Sequence, residues 1–496
     1  MTSPRSLNVL MQGFEVVIIG SGAAGLSAAV AASEGGAKVI LFEKRKVIGG
    51  RSVRAEGFFA AESPAQKRMG GEAPKDVLFK MAMEYAHWEI NPRIIRTFIN
   101  KSGDTVQWLE GMGLKIDRIS PFYRGQPIKT WHQPEKGGAA IIEVLLKKFI
   151  DTGGQFVTGS TVKKILTESS GKLTGVLAII DGYEHHVKTN AVIIATGGYG
   201  GDKKLLKEYC PFYSEEMGTS DPVYAGEGLA MAFELGAGTE GLGGLHISGP
   251  RFDGAAKNVA VIAQEPLTLW VNKKGDRFTD ESTAFNHYES VNAILQQPGK
   301  ISFSIFDKNI LETIIKNGPI KLRDGVFYGV TKEDLFDAEK QLKRQAEAGS
   351  VIISDSWSEL AQWIGAEPEH FINTIKKYNE CAQCGYDESF LKNTEYLIPL
   401  NTPPFYAMKC RTGIIGTIGG IKVSHRMEVL NRADDPIAGL YAAGTDVGGW
   451  EPRTYNVHLS GSTLGFPLNS GRIAGEEAAR FIARNSNAGK NSVELS

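Results

Sequence analysis

The stretch "VVIIGSGAAGLSAAV", Val16 to Val30, followed closely by "KVILFEK", limits the fold more than any other part of the chain. An apolar run stops at Gly20-x-Gly22-x-x-Gly25 and passes directly into an alanine-rich pattern, which predicts a strand, a tight turn and a helix. The strand is expected over Phe14–Gly20, the helix over Ala23–Ser33 and a second strand over Ala37–Phe42. Glu43 closes that second strand where a dinucleotide fold places an acid against a ribose hydroxyl. Glycine lets the backbone touch a pyrophosphate, and the helix N-terminus offers unpaired N–H groups with a positive dipole end. The unit is thus a dinucleotide site in an α/β, Rossmann-like domain. The glycine triplet alone leaves FAD and NAD both open.

At 496 residues the chain exceeds one ordinary core, so two domains are expected. Lys and Arg number 55 against 56 Asp and Glu, without long single-sign runs, which argues against nucleic acid or an anionic membrane as the main partner. The 58 glycines exceed a usual ~7% share and lie scattered among apolar runs, as tight turns and close ligand approaches require. Four cysteines make no disulfide scaffold. "CAQC" (Cys381, Cys384) falls in a helical pattern and reads as two helix-face thiols rather than a metal or redox pair. No residue set suggests a metal site. Phe14–Ala32 resembles a membrane span only until its glycines are counted, and nothing else approaches ~18 apolar residues. A soluble, cytoplasmic protein without a membrane span is the expectation.

A helical pattern covers Pro74–Met112, and strand signals return over Gly154–Gly201 with "AVIIATGG". From Arg251 the texture shifts to a hairpin-like "LTLWVNKKGDRF" and charged helices that begin at the capping box "TKED" and reach Cys384. Short strand and glycine texture resumes after "TPPFYAMK" and runs to Arg484. The expected division is a dinucleotide domain in two pieces, 13–250 and 404–484, an inserted α+β capping domain at 251–403, and a flexible tail at 485–496.

Further motifs carry a resemblance. "KVIGGRSVRAEGFFAA", "ATGGYGGD" and "GLYAAGTDVGG", supported by "GEGLAMAFELGA", "GDRFTDE" and "GRIAGEEAA", together resemble the FAD-dependent fumarate reductase, succinate dehydrogenase flavoprotein and 3-ketosteroid dehydrogenase superfamily. The resemblance implies an extended FAD whose ring faces the cap. It implies Gly20, Gly22, Ala24, Gly25, Glu43, Lys44, Gly50, Arg51, Ser52 and Gly57 as cofactor-lining, together with Val162, Ala195, Thr196, Gly197, Gly444, Asp446 and Leu464. Respiratory members link FAD to a histidine where this chain has Arg51, so non-covalent FAD is implied.

The same resemblance frames the chemistry: hydrogen added or removed across a C–C bond next to a carbonyl, with an unnamed electron donor or acceptor. Fumarate reductases carry an arginine where "HLSGSTL" has His458, a proton-donating arginine where "RFTDESTAF" has Phe285, and histidines where "IIGTIGG" has Ile415 and Gly416. Only His246 matches one of their carboxylate-binding residues, with a plain structural role as its alternative. Bidentate capture of a dicarboxylate needs such forks. "TY" at Thr454–Tyr455 is instead similar to the ketone-polarising turn of ketosteroid dehydrogenases, which implies Tyr455 as a phenol donor to an enolate oxygen. Tyr288, a turn beyond Phe285, is the nominated base, against an outward-facing helix tyrosine. His458 reads either as a proton shuttle or as a turn residue. Arg453 is expected to meet Glu451 in a solvated turn, and His132 to shape the flavin pocket. The leading expectation is a small-molecule, carbonyl-conjugated substrate such as a ketosteroid or enone. The alternatives are an enoate reductase with a rebuilt carboxylate site, or a flavin-binding redox sensor without turnover.

Overall fold

All four residues of Val16–Ile19 (β1) are buried, the condition of a parallel strand covered on both faces. The computed structural model describes residues 13–121, 123, 125–320 and 331–493. After β1 come the helix Ala23–Glu34 (α1), Val39–Glu43 (β2), Gln155–Thr158 (β3) and Ala191–Ile194 (β4). β1 pairs in parallel with β2 on one side and β4 on the other. The predicted βαβ unit therefore forms, each element within two residues of expectation. The helical stretch 74–112 resolves into two helices, Lys75–Tyr85 and Pro92–Gly111. Asn91 caps the second by accepting from the N–H groups of Arg93 and Ile94.

The cap is built on an antiparallel sheet. Its strands are Leu245–Phe252 (β5), Leu269–Val271 (β6), Ile301–Asp307 (β7), Val351–Ser354 (β8) and Phe405–Thr417 (β9), ordered β5–β9–β7–β6 with β8 also on β9. β5 and β9 start or end beyond residues 251 and 403, so this sheet takes in chain from both sides of those positions. The two crossings carry His246 and Gly416, paired across β5 and β9, to the junction with the nucleotide sheet. The "GDRFTDE" motif serves the cap's interior: Arg277 and Lys392 both pair with Glu281 (2.9 and 3.0 Å), and Arg277 also with Asp387 (2.7 Å). Removing one partner from so buried a cluster costs about 3–5 kcal/mol.

The chain then returns to the first sheet through Glu428–Leu430 (β10) and Pro436–Ala442 (β11), giving the order β10–β11–β4–β1–β2–β3, parallel except for β10. From Ser462 to Val493 it forms one helix (α3). That corrects two expectations: strand-and-glycine texture to Arg484, and a frayed tail from 485; residues 494–496 lie outside the described residues. The glycines that read as turns are helix–helix contact points. A Cβ on Gly471 would lie 2.1 Å from Ala24 O, and one on Gly475 2.3 Å from Ala28 O, so α3 crosses α1 backbone against backbone.

Because the obstructing atoms are main chain, no rotamer change relieves the overlap. Gly471→Val is expected to destabilise the protein by at least ~2 kcal/mol, read as a lower denaturation midpoint; an unchanged midpoint would contradict the packing.

Candidate functional site

At the first turn, Gly20 adopts φ +104° and a Cβ there would lie 2.2 Å from Ala195 O. A Cβ on Gly25 would lie 1.9 Å from Gly20 O, so this third glycine lets α1 sit on β1. Gly22 and Gly50 differ: the nearest protein atoms to a Cβ on either are 3.6 and 3.5 Å away, so a side chain there would enter the cavity instead of the protein. Glu43 accepts from Ser21 N (3.1 Å), Ser21 Oγ and Arg45 N (2.8 Å). Ser21 Oγ in turn accepts from Gly49 N (3.1 Å), and Ser52 Oγ from Ala23 N (3.0 Å) at the start of α1. The unremarked residue between the first two glycines thus ties turn, acid and loop together.

Around these groups runs a continuous cavity of about 900 Å³. It starts at Gly20, Gly22, Glu43 and Lys44, passes Val162 and Ala195–Gly197, and reaches His246, Tyr288, Tyr455 and Leu464. Arg51 spans its middle. Its guanidinium donates to Gly197 O (2.8 Å), Ser220 Oγ (3.1 Å) and Ile415 O, and lies 3.9 Å over the Tyr224 ring. Burial lowers its pKa, opposed by the nearby Tyr224, Asp446 and Asp221.

At the far end three rings stack. Tyr288 and Tyr455 centroids are 4.3 Å apart, and His246 lies 5.2 Å from Tyr455 and 5.5 Å from Tyr288. His246 Nε2 and Tyr288 Oη are 2.5 Å apart. The trio comes from three elements: β5, the helix His287–Leu295 (α2), and the loop before Val457–Leu459. Burial, helped by the Arg51 charge, holds the His246 pKa down at about 3, so its imidazole is neutral. Burial, and then Glu451, raises that of Tyr455, which keeps its phenol proton. Tyr455 Oη accepts from Gly461 N (2.6 Å).

A family model for the FAD binding domain matches residues 15–456. The chain belongs to the FAD binding domain family. It is 30% identical over 493 residues to the vinyl phenol reductase of Lactiplantibacillus plantarum, covering 95% of this chain and 98% of that one. Among solved structures it is similar to a flavocytochrome c3 fumarate reductase in an open conformation, with TM-score 0.74 and 25% identity over 97% of this chain and 82% of that one. The 3-ketosteroid Δ1-dehydrogenase of Sterolibacterium denitrificans shares the fold, with TM-score 0.78 and 18% identity over 94% and 99% of the two chains. The protein is an FAD-dependent oxidoreductase.

The residues present fit FAD: an acid, Glu43, at one end of the cavity, glycine positions open toward it, a helix N-terminus, and a polar aromatic far end. Of the expected cofactor residues, Gly20, Gly22, Ala24, Glu43, Lys44, Gly50, Arg51, Ser52, Gly57, Val162, Ala195, Thr196, Gly197, Gly444 and Leu464 line the cavity. Gly25 and Asp446 stand behind the wall. Asp446 accepts from Thr196 Oγ1 (2.8 Å), Gly197 N (2.9 Å) and Gly198 N (3.1 Å), so it shapes the turn that does line it. Lys44 is paired with Glu227 at 2.5 Å.

Among the catalytic candidates, Tyr455, Tyr288 and His246 come together on the wall, whereas His458 does not line it. Its ring stands edge-on to Tyr85 at 5.3 Å, half-buried. Phe285 turns into the cap and packs on Tyr396 (5.5 Å). Glu451 corrects the expectation of a solvated pair with Arg453: it is 4% exposed and points inward. His132 is fully buried beside Trp131, which lines the cavity in its place. Sequence reading missed Ser21, Tyr224 and Arg251, all on the wall. Among the described residues no helix is long and apolar enough to cross a membrane.

Glu43→Ala is expected to weaken FAD retention. Measured flavin occupancy after gel filtration should fall clearly below that of the parent, and full occupancy would contradict the ribose role.

Proposed function

We propose that this chain moves hydrogen across a carbon–carbon double bond conjugated to an oxygen-bearing group, with enones as the leading substrate class. The stacked Tyr288–Tyr455–His246 trio carries this reading. A flat conjugated substrate matches the apolar faces of these rings, and their buried polar atoms suit its oxygen and its reacting carbon. The relative named as a vinyl phenol reductase supports a planar π-system as substrate, since a vinyl phenol is one.

Bound in the cavity, FAD supplies two-electron chemistry at its ring. The protein's part is positioning and proton handling. Tyr455, which keeps its proton, donates a hydrogen bond to the substrate oxygen where negative charge develops. A single such donor in a dry site is worth about 10²–10³ in rate. Tyr288 moves the proton at carbon, and neutral His246 holds the Tyr288 hydroxyl in place through Nε2. Arg51 stands where respiratory members carry their flavin-linked histidine, and its guanidinium is engaged by three oxygens, which supports non-covalent FAD. A substrate bearing a carboxylate is the second reading. It is favoured by Arg251, exposed on the cap side of the cavity wall and without an ion-pair partner among the described residues.

Reduced protein mixed anaerobically with an enone, an enoate and 4-vinylphenol separates these readings by which one reoxidises the flavin; reaction with none would return the redox-sensor alternative. Tyr455→Phe is expected to slow that reoxidation by about 10²-fold or more with FAD still bound, and an unchanged rate would remove Tyr455 from the chemistry. Acid precipitation should leave the yellow colour in the supernatant; colour in the pellet would show a covalent link.

A further inference from the structure

The cap side of the cavity wall carries a positive charge that the enone chemistry does not use. β5 and β9 pair Ser248 with Gly413 and Arg251 with Arg411, so three steps along β5 answer two along β9. The extra residue is a β-bulge, a device that re-aims a side chain. This one is pinned from two directions. Ser290, wholly buried on α2, donates through Oγ to Gly249 O (2.8 Å), and Gln264 Nε2 donates to Pro250 O (2.7 Å). The helix that fixes the bulge is therefore the one that presents Tyr288.

What the bulge presents is Arg251. Its side chain lies over Gly413, where a Cβ would be 2.5 Å from Nη1 and 2.7 Å from Cδ. A glycine at that point of β9 gives the guanidinium room against the main chain, on the cavity wall. Arg411 stands opposite, and like charges in a cross-strand pair repel. Arg411 is neutralised by Glu216 (3.0 Å) and Asp253 (2.6 Å), whereas Arg251 has no ion-pair partner among the described residues. Arg51, in the middle of the cavity, is already engaged by three oxygens. A seated guanidinium that no carboxylate answers suits a carboxylate from the ligand, which its parallel N–H groups grip bidentately.

We propose that Arg251 binds a carboxylate on the substrate while Tyr455 holds its ketone oxygen. The substrate class is then an enone acid: one molecule with a ketone conjugated to the reacting bond and a carboxylate at its other end. The inference rests on the enone reading and narrows it, since the ketone and the carboxylate become two ends of one substrate. Arg251 is a specificity-determining residue in it and takes no part in the bond changes. Its grip is the same before and during the reaction, so it lowers half-saturation without raising the rate at saturation.

The test titrates the oxidised holoenzyme, followed by its flavin absorbance, with two enone acids of different length and with their methyl esters. The acids are 4-oxopent-2-enoate and 4-(3-oxobut-1-enyl)benzoate; each ester keeps the shape and loses the charge. At least one acid is expected to bind at least about tenfold more tightly than its ester, and that preference to fall within about twofold of none in Arg251→Met. Arg251→Lys keeps the charge without the fork and should retain only part of it. Gly413→Ala leaves Arg251 in the chain but puts a Cβ where its guanidinium lies, and should also weaken the preference. A parent that prefers neither acid, or a preference that survives Arg251→Met undiminished, would overturn the proposal. Reoxidation of the reduced holoenzyme by the esters and by cyclohex-2-enone reports separately on the enone reading. If none of them reacts, that reading fails and the inference with it; if they react in a protein indifferent to the carboxylate, the inference alone fails.

Discussion

The constraint on which this structure depends is backbone meeting backbone at the first turn. Gly20 presses on Ala195 and Gly25 on Gly20, and α3 then closes on α1 through Gly471 and Gly475. No side chain intervenes at these contacts, so the N-terminus of α1 stays fixed beside β4 and open toward the cavity. Asp446 completes the frame from the other half of the domain by holding the Thr196–Gly198 turn. A pyrophosphate needs rigid, unshielded N–H groups, and only such close packing supplies them.

The cap solves a different problem. A substrate that gains or loses hydrogen at a C–C bond must lie close to the reacting ring and away from water. β5 and β9 leave the cap and run into the nucleotide domain, so His246 and Gly416 stand at the junction while the cap's own core keeps its ion cluster around Glu281. Arg51 crosses the same junction from the opposite side. The stacked trio is assembled there from three segments distant in sequence, and burial gives two of its members a defined protonation state: a neutral imidazole at His246 and a retained phenol proton at Tyr455.

The βαβ unit was legible because its pattern is local. An apolar strand, glycines at fixed spacing and an acid at the next strand end are all decided within thirty residues. The C-terminal helix was not. Gly471 and Gly475 carry the composition of turns, and only the presence of α1 beside them makes small residues contact points. Glu451 misled for a related reason: beside Arg453 in sequence it reads as half of a surface pair, whereas the 451–462 loop folds it inward against Ser462 and Asn456.

The amino-acid order by itself determined the dinucleotide fold, the acid at Glu43, the family, and Tyr455 and Tyr288 as the residues to examine, since strand and turn chemistry and motif spacing act over short range. Tertiary structure alone decided that Tyr288, not Phe285, reaches the cavity, that His458 does not line it, and that Asp446 shapes the wall from behind. Which way a side chain points on a short helix or loop depends on what packs against its other face. Here that neighbour comes from residues more than a hundred positions away.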